Sequence, residues 1–146
     1  MAKEIERTFL VKNEDYKDMC INKIHIIQGY LNRDPHRTVR VRITDDDAFL
    51  TIKGKTVGFE REEFEYKIPK REGEALMKLC DGRILDKTRY LVPYENHIWE
   101  IDEYHGDLEG LVVTEVELER CDEPVKLAPF AGEEVSGDPK YFNSNL

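Results

Sequence analysis

The residues of this chain that could do chemistry come in pairs spaced two apart. Glu4 and Glu6, Glu63 and Glu65, Glu100 and Asp102, and Glu115 and Glu117 are acidic pairs. Arg40 with Arg42 and Lys87 with Arg89 are basic pairs, and Lys53 follows Thr51 at the same spacing. In an extended strand residues i and i+2 share a face, so each pair projects two like charges the same way. Two like charges about 4 Å apart repel by about 4 kcal/mol at an effective dielectric of about 20. Repulsion repeated over four acidic pairs calls for cations to offset it, and bound metal and a basic neighbouring strand are the natural sources. All-oxygen carboxylate sets suit Mg²⁺ or Mn²⁺. Arg and Lys suit phosphate oxygens, and Arg can make two parallel bonds to them. A ligand that satisfies both halves is an oligophosphate carrying divalent metal.

These pairs must be positioned by strands. Alternation of apolar and polar residues, the period of a β-strand, runs through Lys3–Lys12, Ile24–Asn32, Arg37–Thr44, Ala48–Gly54, Phe59–Pro69, Arg83–Val92, His97–Tyr104 and Leu111–Arg120. Turn residues separate them, among them Asp34-Pro35, Asp45-Asp46-Asp47, the Gly54–Gly58 stretch and Pro93-Tyr94-Glu95-Asn96. Helical spacing predicts a helix over Glu72–Cys80 ending before Gly82, a short one over Asn13–Cys20 capped by Asn13, and about one turn within Glu123–Phe130, confined by Pro124 and Pro129. The expected class is all-β to α+β. Eight strands can close into a barrel wide enough for a small ligand. Alternation alone does not say whether the charged face turns into such a barrel or out to water, since antiparallel sheets ordinarily solvate their polar face. If it turns in, the apolar face lies outside, under helices such as Glu72–Cys80.

The bulk properties set limits. The chain has 146 residues, which predicts one domain over 1–146 with a core that needs no disulfides. Its 22 basic and 31 acidic residues leave a net charge of -9, which argues against a generic nucleic-acid or anionic-membrane surface. Cys20, Cys80 and Cys121 are odd in number and far apart, so neither a disulfide framework nor a Cys-type zinc site is expected. His25, His36, His97 and His105 lack metal-ligand spacing. Without a leader pattern or an apolar run near the roughly 20 residues of a membrane span, a cytoplasmic protein is expected.

In chain order the motifs resemble the CYTH superfamily, the triphosphate tunnel metalloenzymes. Glu4-Ile5-Glu6-Arg7 looks like the opening of its E-x-E-x-K motif, and Gln28-Gly29-Tyr30-Leu31 resembles its second strand. Val39-Arg40-Val41-Arg42 resembles its paired-arginine strand and Leu50-Thr51-Ile52-Lys53-Gly54 its T-x-K strand. Glu63-Phe64-Glu65, Asp86-Lys87-Thr88-Arg89-Tyr90, Trp99-Glu100-Ile101-Asp102 and Glu115-Val116-Glu117-Leu118 follow the later motifs, and Lys140-Tyr141 with Asn143 looks like the bacterial branch.

The resemblance implies an eight-stranded antiparallel tunnel with charges inward and a few short helices outside. It implies a metal-dependent hydrolase acting on a triphosphate-containing small molecule, with inorganic triphosphate the first choice and orthophosphate released. Glu4, Glu6, Glu63, Glu65, Asp102, Glu115 and Glu117 would hold Mg²⁺ or Mn²⁺. Arg40, Arg42, Lys53, Lys87, Arg89 and Lys140 would bind the substrate, with Lys87 and Asp102 in catalytic roles. Three alternatives stand beside it: a class IV-type adenylyl cyclase, a non-catalytic polyphosphate- or nucleotide-binding module, and a β-sandwich or barrel with a solvated charged face and no ligand. An apolar outer barrel face would also let two copies pair as a homodimer. One position departs from the pattern. Thr8 stands where the motif has lysine, and Arg7 belongs to the opposite face, so weaker phosphate binding or an altered substrate preference is expected.

Overall fold

The computed structural model describes residues 3–146. Nine strands form one antiparallel sheet: β1 (Lys3–Val11), β2 (Asn22–Asn32), β3 (Arg37–Ile43), β4 (Ala48–Gly54), β5 (Glu60–Ile68), β6 (Asp81–Tyr94), β7 (His97–Tyr104), β8 (Val112–Glu117) and β9 (Ala131–Glu134). Their order is β5-β4-β3-β2-β6-β7-β8-β1-β9, and β5 also pairs with β1. That last pairing closes the first eight strands into a ring, removing the sheet edges that would otherwise remain open. All eight expected strands are present, with ends shifted by a few residues. β6 runs through Pro93 to Tyr94, and Glu95 and Asn96 turn the chain with positive φ at both positions (48° and 70°). Positive φ at both central residues is the twist-matched geometry of a two-residue hairpin.

The ninth strand was not expected. β9 joins the same edge of β1 that β5 occupies further back. Lys3, Glu4 and Ile5 pair with β5, whereas Phe9 and Val11 pair with Glu134 and Ala131 of β9. Between the two the ladder is bridged by a side chain, because the backbone N–H of Thr8 donates to Ser136 Oγ at 2.8 Å.

The barrel is built with its polar face inside. The principal apolar cluster lies on the outer face of β1, β6, β7 and β8, where Phe9, Tyr90, Val92, Trp99, Ile101 and Val116 pack with Tyr16 and Phe130. Trp99 lies 5.5 Å from Phe9 and 6.0 Å from Phe130 between ring centroids, in tilted and edge-on contacts. What covers this cluster differs in part from expectation. α1 is a single turn, Tyr16–Met19, and Asn13 does not cap it; instead Asn13 Oδ1 accepts from the N–H of Asp15 at 3.0 Å. The expected turn within Glu123–Phe130 is not helical, since Pro124 and Pro129 remove the donors a helix needs. The segment instead lays Val125, Ala128 and Phe130 over the cluster. α2 (Lys70–Met77) begins two residues earlier than expected and covers the other side, its Gly73 against Ala48 and Ile43. Gly82 follows with φ +67°. Among the described residues no helix is long and apolar enough to cross a membrane.

Candidate functional site

Closing the ring turns the paired charges toward a shared space. A cavity of about 200 Å³ runs inside the barrel, lined by polar and charged side chains. Glu4 and Glu6 reach it from β1, Arg40 and Arg42 from β3, Lys53 from β4, Glu63 and Glu65 from β5, Lys87 and Arg89 from β6, and Glu115 and Glu117 from β8. Alternation and register place them there: Arg40 is opposite Thr51, Lys53 opposite Glu63, and Glu6 opposite Glu117. Around the ring the acidic strands β7, β8, β1 and β5 are contiguous, and the cations other than Arg61 come from the other arc. Opposite charges therefore meet at the β6–β7 and β4–β5 seams and across the lumen, as Lys53 meets Glu4.

Most of the cations are held by carboxylates. Lys53 Nζ donates to both oxygens of Glu4, at 2.9 and 3.0 Å, and lies 3.4 Å from Glu63. Burial alone would raise the Glu4 carboxyl, but Lys53, Arg61 and Arg40 outweigh it and bring it down to about 2. Arg40 Nη2 donates to Thr51 Oγ1 (3.2 Å) and Glu65 Oε2 (3.3 Å), while its buried Nε has no hydrogen-bond partner among the described residues. Arg42 differs. Its Nε donates to the neutral Gln28 Oε1 at 2.9 Å. Burial, with Arg40 and Arg89 nearby, pushes it down to about 9, which still leaves it charged at neutral pH.

The remaining carboxylates crowd one another, with Lys53 beside Glu63 and Arg89 Nη1 donating to Glu100 Oε2 at 3.2 Å. Burial, then the neighbouring Glu115, raises Glu6 well above the usual carboxylate range. Burial works to raise Glu115 too, but the hydrogen bond from Glu6 wins and lowers it, so this pair shares one proton. Burial also raises Glu63, Glu100 and Glu117. Carboxyl groups whose burial opposes their ionisation are oxygen donors that a hard divalent ion would neutralise. Among the described residues no three acidic, His or Cys side chains already stand as a ligand set. Mg²⁺ typically takes only one or two carboxylates beside substrate oxygens and waters, so the donor set fits it.

Two expected residues stand elsewhere. Asp102 is 1% exposed and lies behind the cavity wall rather than in its lining. Its Oδ1 accepts from Arg89 Nε (2.8 Å), and its Oδ2 accepts from Arg89 Nη2 (2.9 Å) and Lys87 Nζ (2.7 Å). With both oxygens engaged, it supports two of the lining cations and does not itself line the cavity. Lys140 is exposed, with Nζ 5.5 Å from the centroid of the Tyr141 ring, and it is not part of the lining. It sits in a 3-10 turn (Pro139–Tyr141) at the tunnel's end, where strand periodicity says nothing about direction.

Four lining residues were given no role in the site from the sequence, Tyr30, Arg61, Glu100 and Asn143, although all but Arg61 stand in its motifs. Alternation carried the signal for three. Arg61 is two before Glu63, Glu100 is two before Asp102, and Tyr30 is two beyond Gln28 on β2. For Asn143 no periodic signal exists. Arg61 Nε lies 3.3 Å from Glu4 Oε1. Thr8 opens onto an adjoining chamber of about 60 Å³ that it shares with Phe59, Arg61, Ser136 and Phe142. Arg7 is turned away as expected, bonding Glu134 at 2.6 and 2.9 Å.

Known proteins share this arrangement. The model of the CYTH domain matches residues 2–142. An inorganic triphosphatase of Acetivibrio thermocellus is 41% identical over 147 residues, covering 100% of this chain and 94% of that protein. An inorganic triphosphatase of Nitrosomonas europaea is 33% identical, covering 98% of this chain and 95% of that protein. A crystal structure of an inorganic triphosphatase superposes with a TM-score of 0.68 at 31% identity, covering 97% and 95% of the two chains. A Hippeastrum putative adenylyl cyclase with a dominant triphosphatase activity shares the fold alone, at 14% identity and a TM-score of 0.63 over 80% of each chain. A closed tunnel with charges inward, the order of its motifs and a family match across nearly the whole chain together place this protein in the CYTH family of triphosphate tunnel metalloenzymes.

Proposed function

We propose that this protein is an inorganic triphosphatase, cleaving a phosphoric anhydride bond of free triphosphate and releasing orthophosphate. The observation that carries the reading is the meeting, inside one narrow cavity, of six cationic side chains with seven carboxylates. Its relatives named inorganic triphosphatase support it across 94% and 95% of their lengths. Tyr30 is the one aromatic side chain among the lining residues, so the cavity offers a nucleobase little to stack on.

Phosphoryl transfer needs mainly positioning and charge neutralisation, since negative charge spreads over the peripheral oxygens in its transition state. Arg42, held by a neutral amide, and Arg40, with its unpartnered Nε, supply the least committed donors for phosphate. Lys53, Lys87 and Arg89 supply the rest once the anion competes with Glu4, Glu63 and Asp102 for them. Asp102 orients Lys87 and Arg89. Glu6, Glu115 and Glu117, with Glu100 and Glu63 nearby, would hold divalent metal, Mg²⁺ or Mn²⁺. When bound, that ion neutralises phosphate oxygens and lowers the pKa of water. A lumen carboxylate such as Glu100, raised by burial, is placed to accept a proton from the attacking water.

Purified protein should release orthophosphate from triphosphate with Mg²⁺ or Mn²⁺ and stop with EDTA. Lys53→Ala and Glu117→Ala should each lose at least about tenfold in kcat/KM, the cost of about 1.4 kcal/mol of transition-state stabilisation. Full activity in both variants would remove this cavity from the reaction, and cyclic AMP with pyrophosphate from ATP would move the protein to the cyclase reading.

A further inference from the structure

Residues 139–146 pack against the barrel, and Asn143 among them lines its cavity. Two 3-10 turns, Pro139–Tyr141 and Asn143–Asn145, bring the terminus back against β2, β6 and β7. The segment is anchored to the barrel. Arg33 Nη1 donates to the carbonyl of Ser144 at 2.6 Å, and Leu146 packs against the cluster of Leu85, Tyr104 and Val113; within the segment Asn145 Nδ2 donates to the carbonyl of Pro139 at 2.8 Å. Its one side chain that reaches Lys87 is Asn143.

Asn143 Oδ1 accepts three hydrogen bonds, from Tyr104 Oη (2.8 Å), Gln28 Nε2 (3.1 Å) and Lys87 Nζ (3.1 Å). Gln28 is fully buried, and its own oxygen accepts from Arg42. A neutral amide chain thus links the tunnel's least compensated arginine to its most buried lysine. An ammonium has three N–H donors. For Lys87 one points at Asp102 Oδ2 (2.7 Å) and a second at Asn143 Oδ1. Two fixed bonds on a tetrahedral nitrogen fix the direction of the third, which is the donor left for a phosphate oxygen. With Asp102 alone, the ammonium would be free to rotate about a single contact. The second acceptor is neutral, so it sets direction without placing another anion where the substrate's negative charge must sit.

We propose that Asn143 is a positioning residue for Lys87, which makes the C-terminal segment part of the reaction machinery. The proposal rests on the reading above that Lys87 acts on the triphosphate. Hydrogen bonds to charged groups are strong enough that losing one from a reacting group costs about tenfold or more. Asn143→Leu keeps the bulk and removes the acceptor. It should lower kcat for triphosphate by about tenfold or more with KM changed by less than about threefold, the pattern of an interaction used in the transition state. Asn143→Asp keeps the acceptor; it should recover most of kcat, while its added charge raises KM for the anion. The role is overturned if Asn143→Leu keeps wild-type kcat, or if the Asp variant loses kcat as fully as the Leu variant. Thermal melts accompany the assays, and Asn143→Ala replaces the Leu variant in the same comparison should the latter fail to fold. Lys87→Ala separates the two ideas. If it is fully active, the reading of Lys87 fails. If it is inactive beside a fully active Asn143→Leu, the positioning role alone fails.

Discussion

Lys87 is fully buried, yet it carries an ionisable group in a space meant for an anion. Burial lowers its pKa to about 7, with Asp102 working the other way and Arg89 and Arg42 adding to the fall. The free protein at pH 8 therefore holds most of its Lys87 without the proton. A bound polyanion favours the charged form, so binding should draw a proton from solvent. In metal-free buffer at pH 8, titration calorimetry in buffers of different ionisation enthalpy should show the protein taking up more protons per triphosphate than its Lys87→Met variant. Equal proton counts for the two proteins would contradict the placement of Lys87 against the anion. The same accounting separates the acidic residues. Glu4, lowered by Lys53, stays ionised without metal, whereas Glu6 must give up its shared proton before it can serve as a ligand. The motif's missing lysine also belongs to this scale. Thr8 faces a side chamber, and Arg61, bordering both that chamber and the tunnel, is the nearby cation.

At the scale of the element, the sheet could turn its charges inward because something covers its outer face. α2 does this for β3 and β4 through a close approach at Gly73. A Cβ built there would stand 2.5 Å from the Cβ of Ala48, well inside contact distance. Gly73→Ala should gain up to about 1 kcal/mol of helix propensity. It should lose about 1–3 kcal/mol to overpacking, because the obstructing atom is a buried Cβ on a central strand and not the end of a pliable side chain. A fall in melting temperature is expected, and a rise would mean that α2 lifts from the sheet without cost. On the opposite side one turn of helix and a proline-containing extended segment are sufficient, because Tyr16, Trp99 and Phe130 supply the bulk. The departures from sequence expectation gather in these covers. An extended cover leaves no period to read in Glu123–Phe130, and β9 is a short strand made by pairing with β1, with no alternation of its own to announce it.

For the molecule as a whole, a ring of strands around mutually repelling groups gains stability from whatever neutralises them. A ligand that binds only the folded state at a hundredfold excess over its Kd adds about 2.7 kcal/mol, about 8–10 °C in melting temperature for a chain of this length. Triphosphate and Mg²⁺ together should reach that shift, with either alone giving less than half, since each neutralises one sign and leaves the other crowded. A thermal transition indifferent to both would disconnect the barrel interior from the ligand. Turnover during the melt is avoided by using Ca²⁺ or a non-hydrolysable triphosphate analogue in parallel.

The sequence by itself determined the strands and the facing of their charges. A period of two is a local property, and each pair, from Glu4 with Glu6 to Glu115 with Glu117, carries its own record of it. The same local rule reaches Arg61, two before Glu63, and gives Glu100 the face of Asp102. Only the tertiary structure decided that the charged face lies inside, because that depends on β5 meeting β1 and on covers drawn from distant parts of the chain. It also decided that Asp102 stands behind the wall, holding Lys87 and Arg89, while Glu100 faces the cavity. Asn143 reaches Lys87 across 56 positions of sequence; its place follows from how a terminal segment packs, and no pattern within that segment encodes it.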